Sequence, residues 1–219
     1  MKFSYFVIIF LLVFSACETE TTNSGNGDQN SDDQTEIKSP KQDNKWLCVP
    51  NKQVGLINAD ANEENVVEAY GKENVVRKEV GIGEGETILA TIVFPDSPNE
   101  LIIEWQQDFE FKRLDRIRIE RENAQWETKE GIKIGTTLDE LIAANGKDFN
   151  FYGFDWDYGG TTNEWEGGNI NPQLTVFLNS KNPEGTPQEL AGDGLFSSSN
   201  PKAKEAQLEV EAFVIYFGL

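Results

Sequence analysis

Gly131-Ile132-Lys133-Ile134-Gly135-Thr136-Thr137-Leu138-Asp139-Glu140-Leu141-Ile142-Ala143-Ala144-Asn145-Gly146-Lys147 decides how the chain divides, because an earlier stretch reads like it. That stretch is Gly55-Leu56-Ile57, a polar interval, then Asn62-Glu63-Glu64-Asn65-Val66-Val67-Glu68-Ala69-Tyr70-Gly71-Lys72. Setting Gly71 over Gly146 brings Val66-Val67 over Leu141-Ile142 and Ala69 over Ala144, with the leading glycines offset by a one-residue insertion. Each copy predicts a short helix. Thr137 and Glu140 have the spacing of a capping box, and Leu138, Leu141 and Ile142 form an apolar stripe. Gly146 follows as a residue able to take positive φ. In the earlier copy Asp60 or Asn62 supplies the cap and Gly71 the stop.

Strand-like runs follow each helix. After the first come Asn74–Val80, Glu86–Phe94, Glu100–Gln106 and Leu114–Arg121. Leu101, Ile103 and Trp105 share one face, and Ile117 and Ile119 alternate with Arg116, Arg118 and Glu120, the period of a half-buried strand. After the second come Phe149–Asp157, Thr161–Glu166, Gln173–Asn179 and Leu208–Phe217. The expected fold is α+β, with two repeats at about 50–126 and about 127–219, each a short helix plus an antiparallel four-stranded sheet. The Gly81-Ile82-Gly83-Glu84-Gly85 stretch reads as a turn between strands, since it lacks the lysine of a phosphate loop. The terminal Leu208–Phe217 run is expected inside the sheet. Asn179 to Gln207, rich in Pro, Gly, Ser and Asn, reads as a mobile excursion between the last two strands, with few apolar anchors beyond Leu190, Leu195 and Phe196.

On Gly55-Leu56-Ile57…Tyr70-Gly71 and Gly131-Ile132…Leu141…Gly146 the arrangement resembles the β-lactamase-inhibitor-protein-like fold, including the SmpA/OmlA outer-membrane lipoproteins built on one such unit. The resemblance implies binding of other proteins through a concave sheet or its adjoining loops, without catalysis. In that family the first unit often opens with two helical turns, whereas only one is legible here.

The N-terminus carries an address. Lys2 precedes an apolar run from Phe3 to Phe14, too short to span a bilayer at about 20 residues, and Ser15 and Ala16 place small side chains before Cys17. Phe14-Ser15-Ala16-Cys17 resembles the lipobox of bacterial lipoprotein precursors, with Phe where Leu is usual. The resemblance implies a signal peptide over 1–16 and lipidation of Cys17, hence membrane attachment through the lipid. Cys17-Glu18-Thr19-Glu20 resembles acidic export tags and points to the outer membrane. Residues 17–44 hold no aromatic residue after the cysteine and read as a flexible linker, leaving 45–219 as the domain.

Nineteen Lys and Arg against 38 Asp and Glu give a net charge of −19, which argues against nucleic acid as a partner. An envelope protein partner is expected instead, and no cofactor. With Cys17 lipidated, Cys48 has no intrachain partner and reads as a small buried residue in Trp46-Leu47-Cys48-Val49. The chain has no histidine, so His-based nucleophilic catalysis and His-bound zinc are absent. No catalytic residue is expected. The rival from another class is an envelope glycan hydrolase using a carboxylate pair.

Contact residues are sought in Phe149-Asn150-Phe151-Tyr152-Gly153-Phe154-Asp155-Trp156-Asp157-Tyr158-Gly159-Gly160, followed by Trp165. At strand period Tyr152, Phe154, Trp156 and Tyr158 share one face, and Phe151, Asp155 and Asp157 the other. Either the hairpin buries its aromatic face, or that face is a binding platform of Tyr152, Phe154, Trp156, Tyr158 and Trp165 with Asp155 and Asp157 beside it. Asp155, Asp157, Gly160, Asn163 and Glu166 also fall on positions of a calcium loop, but Gly159 supplies no side-chain oxygen at the fifth and no helix pattern flanks the stretch. No metal ligand is assigned, and calcium-dependent binding stays as an alternative.

Overall fold

The computed structural model describes residues 44–218. The expected signal peptide, Cys17 and all but the last residue of the 17–44 linker lie outside the described residues. The chain is α+β. Strands β1 (Leu47–Val49), β2 (Gln53–Val54) and β3 (Ile57–Asn58) precede α1 (Glu63–Tyr70). Then come β4 (Val75–Gly83), β5 (Glu86–Val93), β6 (Leu101–Trp105), β7 (Leu114–Ile119) and β8 (Glu127–Thr128). The later part holds α2 (Leu138–Asn145), β9 (Asn150–Tyr152), β10 (Thr162–Glu164) and β11 (Leu174–Ser180). It closes with β12 (Leu195–Ser197), α3 (Pro201–Glu205) and β13 (Leu208–Tyr216).

The two aligned helices have the same construction. Asn62 accepts from the Asn65 N–H at 2.9 Å while Asn65 accepts from the Asn62 N–H at 3.1 Å. Thr137 and Glu140 make the reciprocal pair in α2, and Gly71 and Gly146 end the helices at φ 85° and 77°. Such a cap contributes about 1 kcal/mol, and neither helix is long enough to persist without packing. Among the described residues no helix is long and apolar enough to cross a membrane.

One sheet of six strands, ordered β11-β13-β7-β6-β5-β4 and antiparallel throughout, takes strands from both halves of the domain. β13 lies inside it, as the sequence indicates. Leu101, Ile103, Ile117, Phe213, Ile215 and Val176 line the face that packs on α1 and α2 in the main core. Cys48 belongs to that core, and burial pushes its thiol pKa well above the ordinary value.

The later half departs from the expected four-stranded sheet. β9 ends at Tyr152, five residues before the predicted end, and β10-β9-β12 form a separate three-stranded sheet. A single bridge between Thr161 and Phe177 links β10 to β11. The Asn179–Gln207 segment is more than an excursion with few anchors. It contributes β12 and α3, and buries Leu190, Ala203 and Ala206 in the main core. Asn200 caps α3 and Pro201 opens it, the pairing that favours a helix start.

Candidate functional site

The Phe149–Gly160 strand breaks at Gly153 for a reason of space. A Cβ there would lie 2.4 Å from the Gly192 oxygen and 2.6 Å from the Leu190 oxygen. The crossing backbone instead bonds on either side: Phe154 N–H donates to Leu190 O, and Gly192 N–H to Phe154 O, both at 2.8 Å. Phe154 is thereby driven inward, next to Phe151. The chain then reverses through Asp155 at φ 69°. Gly160 closes the turn, donating to Tyr152 O at 3.0 Å and accepting from Leu178 N–H at 2.8 Å.

This path separates the expected contact residues into two groups. Phe154 and Trp165 are core side chains, 7% and 4% exposed. Trp165 donates its indole N–H to Leu174 O at 2.7 Å and packs on Phe149. They are corrected from surface to support. Tyr152, Trp156 and Tyr158 stay together at the surface as a ladder of edge-to-face rings, with centroids 5.5 and 5.3 Å apart. Trp156 is oriented by its N–H bond to Gly153 O at 2.8 Å, and Tyr152 donates its hydroxyl to Asn163 at 3.2 Å. Asp155 and Asp157 are exposed beside the rings. A Cβ placed on Gly83 would lie 3.8 Å from the Tyr158 hydroxyl, so the β4–β5 turn borders the ladder.

The proposed calcium positions do not converge on one point through their hydrogen bonds. Glu166 accepts from Asn150 and Asn163 from Tyr152. Among the described residues no group of three or more His, Cys, Asp or Glu side chains is placed to hold a metal ion.

The sheet face away from the main core carries a second feature, one that alternation alone did not single out. Ala90, Ile92 and Ile102 form a small apolar cluster there. Beside it Glu104, 1% exposed, lies between Arg116 and Arg118. Arg116 Nε donates to Glu104 at 2.6 Å. Arg118 Nε sits 2.6 Å from the other carboxylate oxygen, although its N–H direction misses a hydrogen bond. Burial works against the Arg116 charge, but Glu104 and Tyr216 outweigh it and hold the pKa above the ordinary arginine value. A cavity of about 440 Å³ opens over this face, lined by Lys78, Val80, Ile92, Ile102, Arg118 and Arg121. The signal in the sequence was an acid inside the apolar run Leu101-Ile102-Ile103-Glu104-Trp105, opposite two arginines. The arginines are already committed, Arg118 to Gly81 O at 3.1 Å and Arg121 to Glu100 at 2.7 Å. The charges on this face are thus paired with one another, whereas Asp155 and Asp157 beside the ladder enter no ion pair among the described residues.

No family model matches the chain, and no curated protein or solved structure matches it significantly.

Proposed function

We propose that this protein is a lipid-anchored lipoprotein of the cell envelope, held at the outer membrane through Cys17, whose domain binds another protein without catalysis. The observation that carries the binding reading is the surface ladder of half-buried Tyr152 and Trp156 and exposed Tyr158, with Asp155 and Asp157 exposed beside it. Three aromatic rings held rigidly at the surface are the composition of an interface hot spot. Their surroundings favour a basic partner: residues 148–180 contain five acids, Asp148, Asp155, Asp157, Glu164 and Glu166, and no Lys or Arg. No ion pair among the described residues involves that stretch. The reading as a binder and not an enzyme rests on the absence of histidine from the chain. The anchor rests on Phe14-Ser15-Ala16-Cys17.

The domain is read as two repeats meeting at the β7–β13 pair. The matched capping boxes and C-terminal glycines support this, as does the strand order. From β13 outward run β11, then β10 and β9 across the Thr161–Phe177 bridge. From β7 outward run β6, β5 and β4, the mirrored chain order.

The test is comparative capture from detergent-solubilised envelopes with wild type, Trp156→Ala and Tyr158→Ala, each first shown to melt cooperatively. A partner retained by wild type and lost by both folded variants is expected. Equal capture by all three would remove the ladder from the function. Separately, Cys17→Ser should abolish incorporation of labelled fatty acid, and persistent labelling would sink the anchor assignment.

A further inference from the structure

β4 is the last strand of the six-stranded sheet, and no strand among the described residues pairs with its outer edge. The Phe94 N–H donates to Asn74 O at 2.8 Å. Because residues of an antiparallel pair alternate between bonded and non-bonded, this directs the N–H and C=O groups of Val75, Arg77, Glu79 and Gly81 outward. Gly81 O is taken by Arg118. Residues 77–79 are exposed, and an exposed edge of this length is a template for another strand.

The later half shows how the corresponding strand is covered. β9, the first strand after α2, pairs on its outer side with β12, antiparallel, with Leu195 opposite Tyr152 and Ser197 opposite Asn150. β4 is the first strand after α1 and has no such cover. This parallel rests on the two-repeat reading; the register argument below does not.

We propose that β4 pairs antiparallel with β4 of a second copy of this chain, joining two sheets across a two-fold axis. That axis stands perpendicular to the sheet, so opposed residues must belong to the same face. The allowed registers therefore move in steps that keep odd residues opposite odd ones. The register centred on Lys78 is self-complementary. It sets Arg77 opposite Glu79 twice, as outward-bonding residues exchanging backbone hydrogen bonds, and Val76 opposite Val80 twice. Arg77 uses Nε and Nη2 for Glu63, which leaves Nη1 for the second copy's Glu79. Lys78 meets its own copy, and Asp96, 3.4 Å from its Nζ, offsets part of that repulsion. Centring on Arg77 or on Glu79 also opposes a charge to its own copy, and in addition loses both ion pairs, each of which shifts pairing by a few tenths to about 1 kcal/mol.

The register can be read directly. Lys78→Cys, Arg77→Cys and Glu79→Cys are made in the full chain carrying Cys17→Ala, solubilised in detergent, where Cys48 is buried. In a non-hydrogen-bonded pair the opposed Cα atoms lie about 4.5 Å apart, within disulfide range. Lys78→Cys is therefore expected to form disulfide-linked dimers about tenfold faster than the other two, which sit opposite each other and not themselves. Glu79→Pro removes an outward N–H without touching the bonds to β5. By sedimentation equilibrium it is expected to weaken association about tenfold or more, with the melting temperature unchanged. A wild-type chain that sediments as a monomer at tens of micromolar overturns the proposal. So does a dimer that survives Glu79→Pro, or one in which Lys78→Cys gains no advantage. Trp156→Ala should leave the dimer intact while losing partner capture, which separates this interface from the ladder.

Discussion

The earlier and later parts of the domain each carry a capped helix and both bury aromatic rings, but they differ in what is added to that packing. In the first half, Trp105 and Trp126 are buried and ion pairs with largely buried acids are added between the elements. Arg77 bonds Glu63 across from β4 to α1, Arg121 bonds Glu100, and Glu104 sits between Arg116 and Arg118. In the second half, aromatic burial comes with close backbone approach, and its ion pairs are all between exposed groups. Gly153 and Gly160 admit crossing chain at distances a Cβ would forbid, and Phe149, Phe151, Phe154 and Trp165 fill the space beneath. A helix-and-strand pattern thus specifies elements, while their tertiary attachment is chosen separately. The practical consequence is that acid should trouble the first half and truncation of side chains the second.

The largest effect should come from the strand the halves share. β13 bonds β11 on one side and β7 on the other. Deleting residues 209–219 exposes Phe213, Val214 and Ile215 partners on both strands and should abolish cooperative thermal unfolding altogether. A truncated chain that still melts in one sharp transition would mean the halves fold independently. Next in size are the buried aromatics. Phe154→Ala and Trp165→Ala should each cost about 3–5 kcal/mol in urea denaturation, with Trp165→Ala also leaving the Leu174 carbonyl without its indole partner. If either costs under about 1 kcal/mol, aromatic packing is not what secures the second half.

What the sequence disclosed follows the same division. Helices α1 and α2 and the four strands after α1 were legible because their determinants are local: capping residues three apart, a glycine stop, and apolar alternation. Phe154 was grouped with the surface rings because period-two reasoning carried the strand through Gly153. What stops it is the backbone at Leu190–Gly192, nearly forty residues away in the chain, and no local pattern encodes that crossing. The 179–207 segment was obscured by its composition, although Asn200-Pro201 is itself a helix-start signal. Glu104 was visible as an acid in an apolar run, and only the pairing of β6 with β7 gives it a partner.

A smaller effect tests the charged half. The hydrogen bond from Arg77 holds the Glu63 carboxyl below its ordinary pKa of 4.5, against the opposing effect of burial and with help from the Thr91 hydroxyl and the Arg77 charge. Because the folded value is depressed, Glu63 contributes its full stability above the unfolded value of about 4.5. That contribution fades as pH falls from there through the folded value. Arg77 is half exposed, so solvent screening limits the contribution to about 1 kcal/mol. Glu63→Gln should therefore lower the urea midpoint at pH 7 and converge with wild type in acid. A difference that stays constant down to pH 3 would assign Glu63 a packing role only.

The smallest effect is the most discriminating for the binding surface. Tyr158 is 42% exposed and touches Trp156 edge-on, with the Gly83 turn beyond its hydroxyl. Removing the ring uncovers little apolar area, and water can replace whatever the hydroxyl meets. Tyr158→Ala should shift stability by no more than about 0.5 kcal/mol, the range of a surface change, measured as a urea midpoint at unchanged slope. Side-chain truncations that cost the fold almost nothing while abolishing capture define a surface kept for a partner. Should Tyr158→Ala instead cost as much as Phe154→Ala, the ring would be clamping the β4–β5 turn onto the second half. Its exposure would then be incidental to binding, and the ladder would join the packing that distinguishes that half.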